Sequence, residues 1–143
     1  MLTADSFQAI CSMDPIEEIK SRLRKYPAVK YENDASSIRV SPTSDDGFTV
    51  ELYVVHDRYM VSFNGWHEDF NDAAEAVDCF AFGLSDQCRL KEYRRGNAAY
   101  RWAVESKQNG EWVADSETGQ LIFPFWKRRE VVYLQNRLFT SDS

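Results

Sequence analysis

Trp66-His67-Glu68 is the run in which acid–base chemistry is most readily placed. It follows an apolar run and precedes a helical pattern, so it is expected at a strand-to-helix junction. Side chains there reach a cleft, and backbone N–H groups favour anions. His67 has the titration range of a general base, with Glu68 or Asp69 to orient it. The plainer reading makes Trp66 a hydrophobic staple on the helix and leaves His67 on the surface. Adjacent residues rarely converge on one target, so His67 and Glu68 are weak as a dyad. The only other histidine, His56, sits beside Asp57 in an expected hairpin turn. The two histidines are expected at opposite ends of the strand Tyr59 to Phe63, roughly 15 Å apart, too far to share an ion. No metal is expected.

The three cysteines, Cys11, Cys79 and Cys88, are odd in number, widely spaced and without a CxxC. They suit neither a disulfide framework nor a zinc site. Cys79 lies among Val77, Phe80 and Phe82 and reads as a small core residue. There is no GxSxG and no phosphate-cradling GxxxxGK[ST]. No catalytic residue and no cofactor are assigned, and the acidic residues fit helix faces and turns.

Binding residues are easier to nominate. Asn109-Gly110 is the strongest hairpin signal, since both residues tolerate positive φ. A two-residue loop sets Gln108 against Glu111, Lys107 against Trp112, Ser106 against Val113 and Glu105 against Ala114. Trp102, Val104 and Val113 then share a core face. Arg101, Ala103, Glu105, Lys107 and Trp112 share the other. Trp112 is expected to stack on Lys107 or Arg101. Phe123-Pro124-Phe125-Trp126 belongs to a strand, Leu121 to Trp126, that is apolar on both sides and interrupted by Pro124. Trp126 there would mark an apolar patch for a partner or a homodimer seam. Lys127-Arg128-Arg129 is too short a basic run to argue for nucleic acid. The candidate binding residues are Trp66, His67, Glu68, Arg101, Trp112 and Trp126.

The elements that must carry these residues are legible. Asp14-Pro15-Ile16-Glu17 starts a helix with a cap, a first-turn proline and a capping-box partner. Ile16, Ile19, Leu23 and Tyr26 form its apolar face, and Pro27 stops it. Short strands flank a turn at Asn33-Asp34. Phe48 to Val55 and Tyr59 to Phe63 make a hairpin over His56-Asp57-Arg58. Asn64-Gly65 ends that strand. A second helix follows, capped by Asp69 or Asn71, with Phe70, Ala74, Val77, Ala81 and Leu84 as its stripe, widened by Ala73 and Phe80. Strands at Cys88 to Tyr93, Ala98 to Lys107, Glu111 to Asp115 and Val131 to Leu134 follow, joined by short turns.

The expected fold is α+β: a curved antiparallel sheet of about six to eight strands with two helices on one face, in the order α-β(3–4)-α-β(4–5). The order resembles that of small acidic secretion chaperones, which are dimeric α/β proteins; the extra C-terminal strands depart from that pattern.

The chain's 143 residues suit one domain, 1–143, with 1–13 and 140–143 loosely ordered. The 14% aromatics exclude a disordered chain. The formal net charge of −6 is uneven: residues 48–87 hold eight acids and one base, and residues 88–143 hold ten bases and seven acids. This balance does not favour nucleic acid. No apolar run reaches the length of a membrane span, and the start lacks a signal-peptide pattern. A cytoplasmic protein is expected.

The expected function is non-enzymatic: binding another protein, as a chaperone-like or regulatory module or a homodimer, through the sheet face without helices. The alternative is a small-molecule pocket or enzyme between the sheet and the second helix, using Tyr53, Trp66, His67, Arg101 and Trp102. A third reading is an immunity-type protein whose acidic middle, with Asp72 and Glu75, meets a basic partner.

Overall fold

The computed structural model describes residues 14–119 and 126–138. Asp14 opens the first helix, α1 (Pro15–Leu23). Its carboxylate accepts from the backbone N–H of Ile16 at 3.0 Å and of Glu17 at 3.4 Å. Pro15 fills the first turn, where no donor is needed. Ile16, Ile19 and Leu23 are buried, while Glu17–Lys20 and Glu18–Arg22 pair on the solvent side. The helix ends before the expected Tyr26. Pro27 keeps its predecessor out of the helical region, and a tight turn follows in which Tyr26 N–H donates to the Leu23 carbonyl at 2.9 Å.

Five strands then form an antiparallel meander: β1 (Tyr31–Asn33), β2 (Ser37–Val40), β3 (Val50–Val55), β4 (Arg58–Phe63) and β5 (Trp66–Phe70). The last of these corrects the sequence reading. Trp66 to Phe70 is a strand and not the entry to a helix, because Asn64-Gly65 is itself a two-residue hairpin loop pairing Phe63 with Trp66. Asn64 takes φ 53°, the positive value such loops require at a central position. Its N–H donates to the Thr49 carbonyl and its Oδ1 accepts from Thr49 N–H, both at 3.0 Å, which ties the loop to the chain entering β3.

The second helix, α2 (Ala73–Leu84), starts after Asp72, whose side chain makes no capping bond. Neither Asp69 nor Asn71 holds the cap position. The stripe is also displaced: Ala73, Ala76, Val77, Phe80, Gly83 and Leu84 are buried, whereas Phe70 lies in β5 and Ala74 faces water. Gly83 allows close contact with the sheet, since a Cβ there would lie 2.3 Å from the Phe63 ring.

A separate four-stranded antiparallel sheet follows: β6 (Cys88–Arg95), β7 (Ala98–Gln108), β8 (Glu111–Gly119) and β9 (Arg129–Leu134), in spatial order β8-β7-β6-β9. The α+β class and the antiparallel pairing hold, but the strands of the described residues divide between two sheets and not one. The Asn109-Gly110 hairpin has the expected register, with both residues at positive φ. Two irregularities follow that parity could not foresee. One, at Val104/Glu105, leaves Asp115 unmatched; the other, at Tyr93/Arg94, leaves Tyr100 unmatched.

The inner faces of both sheets, with α1 and α2, share one apolar cluster running from Ile16 through Phe48, Phe63, Trp66 and Phe80 to Leu90, Trp102 and Leu134. Polar bonds lock the sheets together. The Trp66 indole N–H donates to Ser116 Oγ at 3.2 Å, and the Thr118 hydroxyl bonds both the N–H and the carbonyl of His67. Glu92, only 5% exposed, accepts from Trp102 Nε1 at 3.1 Å, Asn64 Nδ2 at 3.3 Å and Arg94 Nε at 2.7 Å. A buried carboxylate is tolerated when hydrogen bonds satisfy it in this way. Buried Asn136 joins three segments: its Oδ1 accepts from Phe48 N–H and its Nδ2 donates to the Gly83 carbonyl, both at 3.0 Å.

Candidate functional site

Strand alternation separates the Trp66-His67-Glu68 run. Trp66, 2% exposed, points inward and stacks on Phe63 at a ring separation of 4.6 Å. It is a core residue that packs between sheets, not a staple on α2. His67 lies opposite Ser62 and is exposed on the outer face of the first sheet. Glu68 lies opposite buried Val61, on the other side of the strand, near Cys79. Neighbours on a strand point to opposite faces, so His67 and Glu68 form no dyad. His56, in the β3–β4 turn, is about 13 Å along β4 from the Ser62–His67 pair. Among the described residues no group of His, Cys, Asp and Glu is placed to hold a metal.

The residues of the expected pocket are likewise dispersed. Tyr53 shares the outer face of the first sheet with His67, and its hydroxyl donates to Glu51. A hollow of about 270 Å³ lies there, lined in part by Arg39, Glu51 and Tyr53, and another of about 300 Å³ lies over Val55, His56, Tyr59 and Met60. Trp66 and Trp102 are buried between the sheets. Arg101 is on the outer face of the second sheet.

That last face gathers the most chemistry. Arg89, Lys91 and Tyr93 alternate along β6 with inward Cys88, Leu90 and Glu92. Beside them lie Arg101, Glu105 and Lys107 on β7, Trp112 and Glu117 on β8, and Arg129, Val131 and Tyr133 on β9. The unmatched Tyr100 leans to the same side, its ring centre 6.4 Å from that of Tyr93. The Arg89 guanidinium lies 4.7 Å from the Trp112 ring centre and 4.1 Å from that of Tyr133. Lys91 approaches Tyr93 at 5.0 Å and Tyr133 at 6.0 Å. Arg101 and Arg129 approach Tyr93 at 5.3 and 4.7 Å. Cations at these distances are held by the ring quadrupole. Arg89 also pairs with Glu105 at 2.5 Å and Arg101 with Glu117 at 2.6 Å. The Glu117 carboxylate raises the Arg101 pKa, and a hydrogen bond to Tyr93 raises that of Lys91.

Of the six candidates, Arg101 and Trp112 are thus brought to one face. The partner of Trp112 is Arg89, in place of the expected Lys107 or Arg101; Arg89, on β6, is one strand nearer Tyr133, so one guanidinium serves both rings. Trp126, 72% exposed, precedes β9. The rest of its aromatic run, Phe123-Pro124-Phe125, lies outside the described residues, as do Cys11 and the ends 1–13 and 139–143. Sequence reasoning passed over Arg89, Lys91, Tyr93, Arg129 and Tyr133. The alternation Cys88-Arg89-Leu90-Lys91 was the available signal, but only the β6–β9 pairing places Tyr133 beside it.

Both thiols of the described residues are held protonated. Burial, chiefly, pushes Cys79 up to about 12 and Cys88 higher still, so the thiolate is scarce at neutral pH. No helix among the described residues is long and apolar enough to cross a membrane. No protein-family model, curated protein or solved structure matches the chain.

Proposed function

We propose that the protein binds another polypeptide, without catalysing a reaction, through the outer face of the second sheet. The observation that carries this reading is the interleaved array of Trp112, Arg89, Tyr133, Lys91, Tyr93 and Arg101 on a face that neither helix covers. Trp, Tyr and Arg are the residues that most often dominate binding energy. Cation–ring stacking holds the long side chains in place before a partner arrives, which lowers the entropy lost on docking. Tyr133 is 47% exposed and Val131 39% exposed at the β9 side of the array. The enzymatic alternative gains nothing from the placement of His67 and Arg101, which stand on outer faces of different sheets.

A photo-reactive amino acid at position 133, in the cells that make the protein, tests the reading, with position 30 as control. Adducts to a polypeptide at 133 and none at 30 are expected. An adduct of the chain with itself would make the partner a second copy. No polypeptide adduct at 133, or equal labelling at both positions, would overturn it.

A further inference from the structure

We infer that the segment docking on this face is acidic, its carboxylates seated against Lys91, Lys107 and Arg129; this rests on the polypeptide-binding reading above. The face already binds two carboxylates of its own. Arg89 and Arg101, each beside an aromatic ring, hold Glu105 and Glu117. A guanidinium lying over a ring keeps its N–H edge for a carboxylate. Arg129 has the same relation to Tyr93, and among the described residues neither it nor Lys91 nor Lys107 forms an ion pair with a carboxylate. Among the described residues these three cations therefore have no carboxylate paired with them once the internal pairs are made, and opposite charge both selects and orients a partner.

Single-stranded nucleic acid fits less well. It needs open rings on which bases stack. Tyr93 and Tyr100 are buried, and the more open Trp112 and Tyr133 already carry Arg89.

The test is fluorescence anisotropy on the full chain, with a labelled peptide of alternating Glu and Ser, its Gln-for-Glu counterpart, and an oligo-thymidylate of similar length. The Glu peptide should bind at low salt, lose about tenfold in affinity at physiological salt, and lose a further tenfold or so with Lys91→Glu plus Arg129→Glu. Lys107→Glu, at an exposed position near the hairpin end, gives a second reading should the double variant fail to fold. No binding of the Glu peptide, equal binding of the Gln peptide, indifference to the charge reversals, or tighter binding of the oligo-thymidylate would each overturn the inference. Sequencing the adduct formed at position 133 separates the two claims. A docked segment without acidic residues would remove this inference and keep the polypeptide reading, and absence of an adduct would remove both.

Discussion

Asn136 shows how much of this fold depends on single polar side chains. It serves the backbone of two other segments, at Phe48 and Gly83, from a buried position. Asn136→Ala strands a buried N–H and a buried carbonyl, so a loss of about 2–4 kcal/mol in urea unfolding is expected; a change within error would show that water replaces both bonds. The thiols make a second residue-level prediction. Cys79 and Cys88 are held protonated by burial, with pKa values above the ordinary thiol value of 9.0. The unfolded chain releases these protons first, so the stability they confer is intact below about pH 9 and is lost as pH rises toward 12. Unfolding measured against pH should therefore fall more steeply above pH 9 in the parent than in a Cys79→Ala/Cys88→Ala variant. Parallel curves would contradict the burial argument.

Elements meet here through glycines as much as through apolar side chains. At Gly83 an added Cβ would meet the Phe63 ring at 2.3 Å, and at Gly65 the Trp102 ring at 2.3 Å. Gly83→Ala and Gly65→Ala are each expected to lower stability by about 1–3 kcal/mol through overpacking. For a helical position such as Gly83 that sign is the reverse of what helix propensity alone gives. Thermal or urea melts decide it, and a stabilised Gly83→Ala would mean that α2 lifts off the sheet at little cost. The elements were unequally legible. The Asp14 cap and the Asn109-Gly110 register depend on neighbours within a few residues, and both were readable. The β5 strand was not. Asp69 and Asn71 imitate a helix start, and what favours pairing with β4 is Trp66 packing on Phe63 together with bonds to Ser116 and Thr118, some fifty residues away.

Over the whole molecule the charge is unevenly spread, with eight acids and one base in residues 48–87. Six ion pairs lie within α1, within the second sheet, and between Asp46 and Arg137. None of these six joins the acidic stretch 48–87 to the basic C-terminal part. The carboxylates exposed along β5 and α2, such as Asp69, Asp72, Glu75 and Asp78, enter none of these six pairs and repel one another. Screening should stabilise the fold, so the melting temperature is expected to rise between low salt and physiological salt. A fall would show that attraction between opposite charges outweighs the repulsion.

The sequence alone determined what local chemistry can settle: an α+β chain, its antiparallel pairing, the capped first helix and the Asn109-Gly110 hairpin. Each rests on side-chain period, a turn residue or a cap, all read within a few positions. Only the tertiary structure decided that the described strands split into two sheets, that Trp66 is core while His67 and Glu68 face apart, and that Arg89 lies between Trp112 and Tyr133. Those outcomes depend on which strand lies beside which. β6 takes β9 as a neighbour across more than thirty residues of chain, and one row of that pairing brings Lys91 to Tyr133. Periodicity tells which face a residue takes, but what it meets there is fixed by burial summed over the whole core.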